Sequence, residues 1–213
     1  MLPPAHSLSH RDGASSGPER GPRYDRAAVS AQLDIVAVGY ADDRVASTVV
    51  LVRDADAVIV IDPGMAVSRD VILGPLEALG VSPPAVSDVI FSHHHPDHTL
   101  NAALFPAARF HDHWAIYQGD VWTDRPAEGY EVSPSVRLLE TPGHTREDIT
   151  TLVRTDGGLV ACTHLWWSAE GPEEDPLATD QALLVRSRAR VLSLGIDLIV
   201  PGHGPPFVPS AAA

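Results

Sequence analysis

The heptapeptide "SHHHPDH", residues 92–98, places His93, His95, Asp97 and His98 within six positions, directly after the apolar "VIF". Imidazole and carboxylate are the side-chain donors that suit divalent transition metals. On a chain leaving a strand, alternate side chains point the same way, so His93 and His95 are expected to face one ion. Pro96 forces a bend, after which Asp97 and His98 can reach a second point nearby. Two more histidines stand in glycine- and proline-bearing turns, His144 in "TPGHT" and His203 in "PGHGPP". Gly143 and Gly202 leave room for close approach and the prolines stiffen the turns, which suits both histidines to be ligands. His94, between the alternating pair, should point away and be structural.

A bound dication lowers the pKa of water from about 15.7 to about 7. The chemistry to expect is therefore attack by a metal-supplied hydroxide on a carbonyl or a phosphodiester. Five of the six core donors are imidazoles, which favours Zn2+, one ion or two, with Fe or Mn as compatible choices. Other routes lack their residues. No Gly-rich phosphate loop is present, and Cys162, the one cysteine, has no evident activating partner. Trp166 and Trp167 in "ACTHLWW" are candidates for the wall of a substrate cleft or for core packing. His111 and His113 in "FHDHW" read as ordinary polar residues.

The elements that must position these groups are legible from pattern. "LDIVAVGY", "ASTVVLVR" and "AVIVID" read as strands, rich in β-branched residues. "AVSRDVILGPLEALG" reads as a helix closed by Gly80. "VSDVIFS" is a short strand that runs into the histidine cluster, with a short helix expected over about residues 99–104. "ARFHDHWAIY" and "YEVSPSVRLLETPGH" continue the strand-and-loop pattern. "DITTLVRTDGGLVACTH" predicts a hairpin around Asp156-Gly157-Gly158. "DPLATDQALLVRSRARVLSLGI" predicts a helix capped by Asp175, with Pro176 in its first position. "DLIVPGHG" predicts a last strand ending at His203. Each half carries helices, which suggests helices on the outside of two sheets.

The chain has 213 residues, 44% of them hydrophobic, enough for one core. Residues 1–30 are rich in Pro, Gly, Ser and Arg and predict a disordered tail ahead of one domain over residues 31–209. The net charge is −13, and "AEGPEEDPLATD" holds five acids and no base. That balance disfavours a protein that coats nucleic acid, though not an enzyme that cuts it. No apolar run approaches the ~18 residues of a membrane span, and no secretory h-region is present. With a lone cysteine, this predicts a cytoplasmic protein with no membrane partner.

The H-x-H-x-D-H run, "TPGHT", "PGHG" and "VIVIDPG" together resemble the motifs of the metallo-β-lactamase superfamily. The resemblance covers about residues 32–208. It implies an αββα four-layer sandwich of mixed α/β class, with the site along one edge between two sheets. It implies a first site of His93, His95 and His144 and a second of Asp97, His98 and His203, with a hydroxide bridging the ions. Asp62 would brace the site, and Asp97 would orient the nucleophile and handle its proton. "EDP…Q…SR.RVL…D.IVPGHGPPF" is similar to the histone pre-mRNA endonuclease-like subfamily in particular. One position departs. The superfamily usually has a bridging aspartate after the strand that precedes the last helix, and here that place falls on His164, or on Thr163 if the alignment slips by one.

Three readings follow. The first is a hydrolase of a small ester, thioester or lactone, with a small-molecule substrate. The second is a phosphodiesterase or endoribonuclease with RNA as partner. The third is a non-catalytic metal-binding protein whose site has degenerated at position 164.

Overall fold

The computed structural model describes residues 30–210. The tail expected over residues 1–30 lies, apart from Ser30, outside the described residues. Fourteen strands and three α-helices follow in the order β1 (Gln32–Ala37), β2 (Tyr40–Ala41), β3 (Val45–Ala46), β4 (Val49–Asp54), β5 (Ala57–Ile61), α1 (Asp70–Ala78), β6 (Asp88–Ile90), α2 (Pro96–Thr99), β7 (Arg109–His111), β8 (Ala115–Gln118), β9 (Val121–Asp124), β10 (Glu131–Ser133), β11 (Val136–Glu140), β12 (Ile149–Thr155), β13 (Gly158–Thr163), α3 (Gln181–Leu192) and β14 (Leu198–Pro201).

Two sheets carry the fold. One has the order β1-β4-β5-β6-β7-β8-β9 and the other β10-β11-β12-β13-β14. The alternation of side chains along each strand builds three apolar layers from them. Val50, Val52, Ile59 and Ile61 of the first sheet meet Val136, Leu138, Val153, Val160 and Cys162 of the second between the sheets. The intervening residues Val49, Leu51 and Val60 face outward onto Ile72 and Leu76 of α1. Leu152 and Ala161 of the second sheet face outward onto Leu184 and Val191 of α3. Helix, sheet, sheet, helix is the αββα order, and it leaves each apolar face covered.

Two elements differ from the pattern reading. The short helix after the histidine run begins at Pro96, not near Thr99, because Pro at the first position nucleates it at once. It gives way to a 3-10 turn at Ala102–Leu104. The last helix starts at Gln181, with Asp180 as its N-cap accepting from the Leu183 amide at 2.9 Å. Asp175 lies ahead of the helix, where one carboxylate oxygen accepts from the Leu177 amide at 2.8 Å and the other turns to the site. Helix α3 also serves the loops that carry the site. Ser187 Oγ donates to the Pro142 carbonyl at 2.7 Å. Arg188 donates to the carbonyls of Leu165, Pro172 and Glu173, tying down the segment after His164. Gly143 lies so close to this helix that a Cβ there would sit 2.5 Å from Leu184 Cα. Among the described residues no helix is long and apolar enough to cross a membrane.

Candidate metal centre

The site forms where strands of both sheets end on one edge. The parallel strands β5 and β6 deliver Asp62 and the His93–His98 run, and the parallel strands β13 and β14 deliver His164 and His203. The turn after β11 delivers His144. Crevices at the carboxyl ends of strands are where open sheets generally hold ligands.

Asp62 is set just past β5 with φ of 52°, a left-handed conformation unusual outside glycine. That turn aims its carboxylate at two targets. Oδ1 accepts from the Ser92 amide at 2.7 Å, and Oδ2 meets His98 Nδ1 at 2.9 Å. Gly64 follows, and a Cβ on it would fall 1.5 Å from the Asp97 carbonyl oxygen. The "DPG" turn and the "HPDH" turn are thus pressed together backbone to backbone.

The ring nitrogens converge. His95 Nδ1 lies 3.0 Å from His93 Nε2 and 3.0 Å from His144 Nε2. One imidazole nitrogen has a single in-plane hydrogen or lone pair, so it cannot serve two such neighbours by hydrogen bonding. A shared cation satisfies all three. Nearby, Asp97 Oδ2 lies 3.3 Å from His98 Nε2 and 3.5 Å from His203 Nε2. His203 Nε2 lies 3.0 Å from His164 Nε2. His98 Nε2 is buried and not aligned for a hydrogen bond with any partner. These separations are close to the ~3.3 Å between donors around a tetrahedral ion with bonds of about 2.0–2.1 Å. The residues present therefore fit one or two divalent ions.

The rings are also braced from behind, as ligating histidines commonly are. His144 Nδ1 meets Asp175 Oδ2 at 2.7 Å. His203 Nδ1 donates to the Ala46 carbonyl at 2.9 Å, and His93 Nδ1 meets Ser92 Oγ at 3.1 Å. Asp175, which the sequence pattern places at a helix cap, stands instead behind His144. Its only sequence signal is the "EDP" motif.

The electrostatics follow from the crowding. Burial, reinforced by the neighbouring imidazoles, holds His93 and His164 well below the ordinary histidine range. Burial also lowers His95 and His203. Burial works against the charged form of His98 too, but the Asp62 and Asp97 carboxylates outweigh it and raise His98 to about 9. Burial alone would raise Asp97, and the adjacent His98 ring with the His98 and His203 charges outweighs it to leave the carboxyl at about 2. Without metal, a proton is thus favoured on His98, between two carboxylates, and disfavoured on His93, His95, His164 and His203.

The ambiguity at positions 163 and 164 resolves in geometry. Thr163 Oγ1 pairs with Thr150 Oγ1 at 2.7 Å, and Thr150 pairs with Thr141 at 2.9 Å, a hydroxyl chain inside the sheet. His164 enters the cluster instead. It brings a ligand atom within 4.8 Å of those of His93 and His144, and likewise of His98 and His203. Gly202 makes room for its ring, since a Cβ there would meet His164 Cδ2 at 2.4 Å.

The remaining candidates separate. His94 faces away, bonded to Asp112 at 3.2 Å and stacked on Trp114. His111 is buried against Asp88 at 2.8 Å, and His113 lies edge-on to Trp114. Trp166 packs on Phe207 and Arg188. Trp167 reaches the site, with its ring 5.9 Å from that of His203 and its Nε1 donating to Asp175 Oδ2 at 3.1 Å. Cys162 is buried between the sheets, where burial pushes its thiol upward, away from the reactive thiolate.

A sequence model of the metallo-beta-lactamase superfamily matches residues 42–165. This chain belongs to that superfamily. Metallo-beta-lactamase domain-containing protein 1 of Homo sapiens is 35% identical over 158 residues, covering 70% of this chain and 59% of the relative. The chain thus spans about three fifths of that relative's length. Among solved structures, a quorum-quenching N-acyl homoserine lactone lactonase superposes with a TM-score of 0.62 at 22% identity, covering 82% of this chain and 92% of that one. TTHA1623, solved in a di-iron-bound form, superposes with a TM-score of 0.59 at 21% identity, covering 76% and 89%. At such identities the superfamily fold is shared, and no more is implied.

Proposed function

We propose that this metallo-β-lactamase-superfamily chain is a metal-dependent hydrolase acting on a small ester, thioester or lactone. The observation that carries the reading is the convergence of His93 Nε2 and His144 Nε2 on one nitrogen, His95 Nδ1, each at 3.0 Å, where a single linear hydrogen bond can serve only one of them. Zinc is the ion its donor set suits best, since imidazoles dominate. When bound, such a dication polarises a carbonyl oxygen and supplies hydroxide near neutral pH.

The chain's own residues do the rest. His93, His95 and His144 would hold one ion, and Asp97, His98 and His203 a second. Asp175 and Asp62 fix the tautomers of His144 and His98, so that Nε2 of each faces inward as a lone-pair donor. Asp97, ionised at neutral pH, offers a carboxylate oxygen that can orient a nucleophile and hold its proton. Trp167 lines one side with an apolar ring, a surface suited to an uncharged substrate portion. The net charge of −13 disfavours a polyanionic substrate.

The test joins metal content to turnover. Gently purified protein, analysed by mass spectrometry, should carry at least one transition metal per chain. His95→Ala should lose it together with hydrolysis of aryl ester, thioester and lactone probes. A His95→Ala protein with the parent's metal content would sink the ligand assignment. Turnover of single-stranded RNA without turnover of the carbonyl probes would replace the substrate class.

A further inference from the structure

We infer that His164 closes the Asp97–His98–His203 cluster into a four-donor site and leaves the His93–His95–His144 cluster as the one with an open coordination position. The inference rests on the metal-centre reading above and divides the labour between its two halves.

The distances carry it. Around the second cluster, Asp97 Oδ2 to His98 Nε2 is 3.3 Å, Asp97 Oδ2 to His203 Nε2 is 3.5 Å, and His203 Nε2 to His164 Nε2 is 3.0 Å. These three separations are close to the ~3.3 Å expected between donors that share one tetrahedral ion. His164 brings a ligand atom within 4.8 Å of those of His98 and His203 and also of those of His93 and His144, and it is His203 Nε2 that its Nε2 approaches at 3.0 Å. A carboxylate at position 164 could place one oxygen on each ion. An imidazole nitrogen has one lone pair, and Nε2 of His164 is directed to the His203 side. Its Nδ1 is buried and meets no partner. Thr163, the other residue that could have supplied a donor here, is committed to the Thr150 hydroxyl.

The first cluster then has three imidazoles and no carboxylate. Three protein ligands with a free fourth position mark catalytic zinc sites, while closed four-ligand sites are structural. His95 and Asp97 are the half-buried donors, one in each cluster, and the other donors are buried. With the bridging carboxylate absent, an ion held by neutral ligands alone keeps its full double charge, which favours anion and hydroxide binding there.

Metal-free protein titrated with Co2+ tests this. The readouts are visible absorption and the metal retained after gel filtration. The parent should bind two equivalents. His164→Ala, and His164→Gln as the milder variant, should weaken one of the two by about 100-fold, the upper end of what loss of even a supporting partner does. Azide should shift the cobalt bands of the parent. It should leave unchanged those of His95→Ala, which retains only the second cluster. The inference is overturned if both His164 variants bind two ions as the parent does, or if azide shifts the bands of His95→Ala. A parent that binds no cobalt removes the metal-centre reading itself, a different result from either of these.

Discussion

Asp175 gives the sharpest prediction, because its role is set by three contacts on two oxygens. Oδ2 meets His144 Nδ1 at 2.7 Å and accepts from Trp167 Nε1 at 3.1 Å, while Oδ1 accepts from the Leu177 amide at 2.8 Å. Asp175→Asn keeps the shape but replaces one oxygen by an NH2 donor. If the amide oxygen faces His144, the NH2 confronts the Leu177 N–H. If it faces Leu177, the NH2 confronts His144 and Trp167. Either orientation loses a hydrogen bond, and both remove the charge. A hydrogen bond to a charged group contributes about 1.5–3 kcal/mol against about 1 for a neutral one, so roughly 1–2 kcal/mol of support for the His144 tautomer goes. At 1.4 kcal/mol per tenfold, that is a fall in affinity for the first ion of about 5- to 30-fold, within the 10–100-fold span seen when such partners are lost. Competition against a chromophoric chelator reads it directly. Affinity within twofold of the parent would show that His144 needs no carboxylate behind it, and the bracing argument would fail.

Gly64→Ala should cost about 3 kcal/mol or more of stability, since its Cβ would fall 1.5 Å from the Asp97 carbonyl oxygen and only backbone movement relieves that. A denaturant melt with an unchanged midpoint would contradict it. Chelation of the metal should lower the melting temperature, because an ion at 100 times its Kd adds about 2.7 kcal/mol to the folded state. A melt indifferent to chelator would count against the centre. Asp88 is buried, which alone would raise its carboxyl, but hydrogen bonds from His111 and Arg109 hold it below the usual range. Its contribution is present above the ordinary aspartate value of 3.8 and disappears as pH falls through the lowered one. Asp88→Asn should therefore flatten the most acidic part of the stability–pH curve, while His111, deprived of the carboxylate that raises it against burial, steepens the part below the ordinary histidine value. Deleting residues 1–29 should leave the melting temperature within ten degrees of the parent, as their composition offers little to bury.

Much of this protein is local, and the sequence carries it. Strand alternation places Val50 and Val52 on one face and Val49 and Leu51 on the other, because the direction of a side chain on a strand is fixed by its neighbours. The same rule sends His93 and His95 into the cluster and His94 out to Asp112. Gly143 and Gly202 mark the close approaches by their lack of a side chain. What the sequence leaves open is which distant groups meet. His144 and Asp175 are 31 positions apart and His203 and Ala46 are 157, and no spacing rule links them. Asp175 looked like a cap because Asp before Pro is a common helix start, and only the packing of α3 against the "TPGH" turn shows its carboxylate behind His144. Position 164 turns on the same point. Thr163 pairs with Pro201 at the end of β14, and this places its hydroxyl in the sheet and the next residue beyond it. A shift of one residue in that pairing would exchange the two. Strand register is set by contacts between chain segments far apart in sequence, so the residue that stands among the metal ligands is decided by the tertiary structure.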